Sequence, residues 1–172
     1  CTQTVMQLLA LRAARSAGFA VPARVFERAE SYIRARFNQQ RGGFQYSPSS
    51  GVPIYGATAS AVVSLLAAGK TPRDDDALRA GMGFLAEHTP GYGPGHSYYF
   101  YNVYYTAIAA KMAGGEFYSR VYPGIVRKLL AAQDAEGGWS GGGAERVLNT
   151  TFALLILSLP KEKLPLLEEE TQ

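Results

Sequence analysis

The 172-residue chain has a single cysteine, Cys1, so it forms no internal disulfide and holds no zinc site built from several thiolates. It has no apolar run near the roughly 20 residues that carry a helix across a bilayer. A soluble protein is expected, with membrane contact left open but no transmembrane span. Positive charge is thin as well, with 17 Lys and Arg against 14 Asp and Glu. Arg12 and Arg15, like Arg24 and Arg28, stand at helical spacings that read as solvated faces rather than as the clustered basic patch a nucleic-acid binder needs. Gly141, Gly142 and Gly143 are not followed by the Lys-Ser/Thr of a phosphate loop, so they read as a turn, and no cofactor is implied. The chain opens on Cys1 with helical pattern already running by Thr4, which is the look of a fragment or processed product. Any signal segment would lie outside it, and the compartment stays open.

What the chain does have is apolar residues, 47% of the total against 18% charged, which is the balance of a globular protein. They recur with a long period. Apolar segments run over Thr4–Ala14, Thr58–Ala68, Asn102–Ala113 and Thr150–Leu159, and the first three are followed by Gly18, Gly69 and Gly114, as a left-handed helix cap requires. Pro22, Pro72 and Pro123 then come at intervals of 50 and 51 residues, each suited to the first turn of a following helix. In the segment from Pro22 to Phe37, Val25, Ala29, Tyr32 and Ile33 alternate with Arg24, Glu27, Arg28, Arg34 and Arg36, which describes a helix with one wet side. Ala59–Ala68 and Phe152–Leu159 are apolar on nearly all sides and are expected to be enclosed by protein. The expectation is an all-α fold of about seven helices, inner and outer alternating, over residues 1–160. A polar tail at 161–172 would follow.

Between the third outer and the last inner segment stands Gln133-Asp-Ala-Glu-Gly137-Gly138-Trp139, a Gln-x-x-x-Gly-x-Trp sequence. A weaker copy is Asn38-Gln-Gln-Arg-Gly42-Gly43-Phe44, 95 residues earlier, with Asn at the Gln position or Gln39 displaced by one. An amide at the end of an outer helix can satisfy orphan terminal groups while the ring stacks over it and the glycines allow a tight turn. The middle segment, His88–Ser97, carries glycines and prolines without this series. The pattern resembles the glutamine-tryptophan repeat of the squalene-hopene and oxidosqualene cyclases and the Gly-Gly-Phe or Gly-Gly-Trp turns of protein prenyltransferase β subunits. The resemblance spans nearly the whole chain at the level of the superfamily. It implies part of an α-α toroid, the C-terminal part of a longer one, and a cavity for an isoprenoid-type hydrophobic ligand.

Cyclases of that superfamily protonate a polyprene with an aspartic acid and steer carbocations with aromatic faces. The aromatic half has a candidate in His96, Tyr98, Tyr99, Tyr101, Asn102, Tyr104 and Tyr105, which lead into an inner helix. A ring face attracts a cation by roughly 0.5–2 kcal/mol. These rings either line a cavity or pack between helices, and packing is the commoner fate. The acid half has none: Asp74-Asp75-Asp76 follows Pro72 at a helix start, where carboxylates cap N–H groups. Glu116, Asp134, Glu136 and Glu145 read as solvated loop residues. The zinc that the prenyltransferase branch uses has no ligand set here, because Cys1, His88 and His96 do not stand at a metal spacing. A hydrophobic small molecule or a protein is the expected partner, and a non-catalytic toroid scaffold is the alternative to a ligand-binding cyclase relative. A sugar-active double ring would need two opposed carboxylates, which the sequence does not offer.

Overall fold

The structure, a computed structural model, describes residues 2–141 and 145–161. All of the expected polar tail except Lys161, together with Cys1 and the glycines 142 and 143, lies outside the described residues. Seven α-helices make up most of what is described: α1 Thr2–Ser16, α2 Ala23–Arg34, α3 Tyr55–Ala67, α4 Asp76–His88, α5 Tyr99–Ala113, α6 Gly115–Ala131 and α7 Arg146–Ser158. A 3-10 turn at Thr89–Gly91 follows α4. The all-α expectation holds, apart from one small hairpin in which β1 Phe37–Asn38 pairs antiparallel with β2 Gly43–Phe44. Periodicity gave no sign of it, since two-residue strands are too short to alternate.

The helices form two layers. In one row α1, α3, α5 and α7 pack in that order, and α2, α4 and α6 lie behind it. Chemistry assigns the rows: every residue of α3 is buried, whereas α2 buries only Phe26 and Ile33 of its twelve residues. Ala57, Ala59, Ala61 and Ala67 keep α3 thin enough for its neighbours to approach on all sides. Its flank carries the core, with Val62, Leu65, Tyr99, Phe100, Val103 and Ile108 all nearly inaccessible.

Some expected boundaries move. Gly18 and Gly69 close α1 and α3 with positive φ and the backbone bonds of a C-terminal cap. Gly114 also has positive φ, but its ψ of −157° is not left-handed helix, and with Gly115 it forms a joint that turns α5 directly into α6. Pro123 therefore sits inside α6 rather than opening it. α7 is less enclosed than its composition suggested. Only Asn149, Ala153 and Ile156 are buried, because α7 ends the row and Val147, Leu148, Leu154 and Leu155 are left exposed. In α2, Tyr32 faces solvent under the Arg36 guanidinium, and Phe26 is the ring that faces inward.

The two Gly-Gly-aromatic turns are built alike. Phe44 is fully buried and its N–H donates to Thr58 Oγ1 at 2.9 Å; Trp139 is buried and its N–H donates to Thr150 Oγ1 at 3.1 Å. Gly43 has no room for a side chain, since a Cβ would come within 2.8 Å of Pro53 and 2.9 Å of Phe84. The capping role expected of the amide falls to the indole, whose Nε1 donates to Leu129 O at 2.7 Å in the last turn of α6. Gln133 instead closes its own loop, donating to Gly137 O at 2.9 Å.

Candidate functional site

The row of α1, α3, α5 and α7 brings the N-terminal ends of its four helices to one face, where a cavity of about 1140 Å³ opens. It is lined by Tyr55, Gly56 and Ala57 at the start of α3, by Tyr98 at the N-cap of α5, and by Tyr101 and Asn102 of α5. Phe152 and Leu148 of α7, together with Tyr46 and Ile54, complete the wall. Among the described residues Glu145 is the one carboxylate of the lining, and no Lys or Arg belongs to it.

Local backbone chemistry fixes the wall. Gly56 leaves room that a Cβ would take from the Asn102 carboxamide, so the glycine lets α5 seat its amide against α3. Asn102 then donates from Nδ2 to the Tyr92 hydroxyl at 2.7 Å. Tyr98 immediately precedes α5, at its N-cap, with φ 57° and ψ 27°, the only non-glycine residue with positive φ among those described. That conformation costs a residue with a side chain about 1–2 kcal/mol, and it leaves the ring exposed at the cavity mouth.

The aromatic residues form one stack. Tyr55 and Tyr92 lie face to face with centroids 4.1 Å apart, and His96 covers the other side of Tyr92 at 4.5 Å. Tyr55 Oη is bound to Thr89 Oγ1 at 2.8 Å, and burial pushes its phenol up to about 12. Tyr101 donates to Thr2 O at 3.2 Å, tying α5 to α1, and burial raises it as well. The loop that carries Tyr92 is held from behind by Lys128, whose ammonium donates to the carbonyls of Thr89, Pro90 and Tyr92 at 2.9, 2.7 and 2.7 Å. Burial lowers its pKa. On the far side of the stack lies a second cavity of about 850 Å³ that includes Arg41, Phe84, Glu87 and His88 in its lining.

Of the residues singled out in the sequence, His96, Tyr98, Tyr101 and Asn102 meet at the larger cavity. Tyr99, Tyr104 and Tyr105 are placed elsewhere. Tyr99 is fully buried, edge-on to Phe100 at 5.0 Å, with its hydroxyl left without a hydrogen-bond partner. Tyr105 is buried between Tyr101 and Tyr104, and Tyr104 packs on Phe152 at 5.2 Å. Tyr99, Phe100, Tyr101, Tyr104 and Tyr105 all stand on one helix and must point around it, so only part of the run can face one side. Sequence reading missed Tyr46, Tyr55, Tyr92 and Phe152. Tyr92 carried a signal, since an aromatic between Gly91 and Gly93 in a loop has no packing reason of its own.

The acids settle into structural roles. Asp75 caps α4, accepting from Leu78 N at 2.9 Å, as expected of the Asp74–Asp76 run. Glu116 lies in the first turn of α6 rather than in a loop. Asp134 is not merely solvated: it accepts from Gly138 N at 2.9 Å and from Arg146 at 2.8 and 3.0 Å, and the guanidinium pulls its carboxyl down to about 2. Among the described residues no group of His, Cys, Asp and Glu is arranged to hold a metal ion. No helix of the described chain is long and apolar enough to cross a membrane. No family model, curated protein or solved structure matches the chain.

Proposed function

We propose that the larger cavity binds a hydrophobic, isoprenoid-type ligand against its tyrosine wall, and that the two rows of helices are part of an α-α toroid of the terpenoid cyclase and prenyltransferase kind. The observation that carries the reading is the cavity's makeup: about 1140 Å³, walled by ring faces and aliphatic groups, with a few fixed polar atoms. Ligand sites of small molecules have this composition, mostly apolar with convergent polar groups that orient the guest. A diphosphate group would find no Lys or Arg among the described residues of the lining to neutralise it, so an uncharged chain is the better guest.

Binding, rather than turnover, is what the residues support. An acid that protonates an alkene must be kept neutral by an apolar site. Glu145, the lone carboxylate of the lining, is exposed. The test is calorimetric titration of the purified chain with farnesol and with squalene in a carrier. Saturable binding that Tyr101→Ala or Phe152→Ala weakens about tenfold supports the reading, while absence of binding by either compound sinks it. A scaffold that keeps the fold without a ligand gives the second result.

A further inference from the structure

We propose that Tyr92 is a partition that sets the length of ligand the larger cavity accepts, a role that rests on reading that cavity as a ligand site. Three residues, Tyr55, Tyr92 and His96, line both the 1140 Å³ cavity and its 850 Å³ neighbour. They stand in one stack, with Tyr92 in the middle at 4.1 Å from Tyr55 and 4.5 Å from His96. The wall between the two spaces is therefore a layer of single rings.

The three rings are not held alike. Tyr55 belongs to the fully buried α3, and its hydroxyl is held by Thr89 Oγ1 at 2.8 Å. His96 sits on the exposed loop, and among the described residues its ring hydrogen-bonds to Gly93 of that same loop. Tyr92 is gripped at both ends: Asn102 holds its hydroxyl at 2.7 Å, and Lys128 holds its carbonyl at 2.7 Å. Such double anchoring fixes the ring in the gap, which is what a stop at the end of a binding channel requires. The spaces on either side differ in chemistry. The near one is walled by Phe152, Leu148 and Ile54, and the far one adds Arg41, Glu87 and His88. A guest long enough to pass the partition would carry an apolar body and end in a polar group.

Three glycines border the anchor points. Gly91, Gly93 and Gly95 have ordinary φ values and open space where a Cβ would stand, so neither strain nor crowding calls for them. They leave the loop free to shift once the ring is removed.

The experiment is a chain-length series: geraniol, farnesol and geranylgeraniol titrated into the wild-type chain, Tyr92→Phe and Tyr92→Ala, with folding checked by circular dichroism. In the wild type, affinity rises with length and then stops rising. Tyr92→Phe keeps the ring and the Lys128 bond to its carbonyl but loses the Asn102 anchor, so it is expected to move the optimum less than Tyr92→Ala does. Tyr92→Ala is expected to move the optimum by at least one isoprene unit and to raise the ratio of geranylgeraniol to geraniol affinity at least tenfold. A ring with only a packing role would lower stability and leave the ratio alone, and an unchanged ratio overturns the proposal while the ligand site stands. No binding by any alcohol to the wild type overturns the site itself. If Tyr92→Ala does not fold, Tyr92→Leu, which removes the ring and the Asn102 anchor, is expected to raise the ratio in the same direction by a smaller factor, and an unchanged ratio there overturns the proposal.

Discussion

Single charged side chains hold the joints between helices. Asp75 accepts from the first turn of α4 and from the Arg34 guanidinium of α2 at once. Burial pushes its carboxyl up, but the Arg34 hydrogen bonds and the Leu78 N–H outweigh that and leave its pKa lowered. A depressed carboxylate stabilises the fold above its unfolded pKa of about 3.9, and the contribution is lost as pH falls through the folded value. Asp75→Ala is expected to cost about 2–3 kcal/mol at neutral pH, by loss of the cap and of a buried partner for Arg34. Asp75→Asn, which can still cap, should cost less. Urea unfolding at pH 7 and pH 3 checks both: the gap between wild type and Asp75→Ala should narrow at the lower pH, and a constant gap would contradict the ion-pair account. This role could be read from the sequence, because three acids after a proline and before Ala77-Leu78 have few other uses. Arg12 could not. Its spacing with Arg15 reads as a wet face, yet it is buried and donates to Leu66 O and Ala67 O at 3.1 and 3.3 Å, covering the end of α3. Spacing along one helix says nothing of the helix end that arrives beside it from 54 residues away.

At the scale of elements, the two Gly-Gly-aromatic turns dock onto the following helix through one threonine each. Phe44 N–H and Trp139 N–H would both be left without these acceptors if the hydroxyls were removed. Thr58 is fully buried, so water cannot replace it, and Thr58→Val is expected to destabilise by about 1–3 kcal/mol. Thr150 is only half-buried, and Thr150→Val should cost less, about 1 kcal/mol. Chemical denaturation of both variants, with slower hydrogen exchange retained elsewhere in the helices, tests the pairing; equal and negligible effects would show that the shared contact carries no weight. The turns were visible as motifs because glycine and a large aromatic are distinctive in composition. Their partners were not, since threonine at the start of an apolar helix has no periodic signature. The same reason hides the hairpin and the Gly114–Gly115 joint. Short elements are set by what they pack against, and an apolar period of 3.6 registers only helices of several turns.

At the scale of the whole molecule, buried and half-buried phenols tie the helices together, two of them between the rows and one within a row. Tyr55 binds Thr89 beyond α4, Tyr101 reaches Thr2 of α1, and Tyr122 of α6 donates to Ile156 O of α7 at 2.8 Å. The two rows themselves were legible, because fully apolar and one-sided helices alternate along the chain. Which tyrosines face the cavity was not, since that depends on how α5 is rotated between α3 and α7. Burial pushes Tyr55 and Tyr122 up to about 12 and raises Tyr99 and Tyr105 as well. A phenol whose folded pKa is raised stabilises the fold below its unfolded value of about 10, and that contribution is lost as pH rises toward the folded value. Between about pH 10 and 12 the molecule should therefore lose stability steeply, with several tyrosines ionising only as the helices melt. Ultraviolet titration of tyrosinate followed alongside far-ultraviolet circular dichroism reads this directly. The expected result is a late ionisation step that coincides with loss of helicity and moves to lower pH in Tyr122→Phe, where one tie between α6 and α7 is gone. Ionisation of every tyrosine in a single early step with helicity intact would mean that the phenols are open to water, and the packed wall around the cavity would fall with that result.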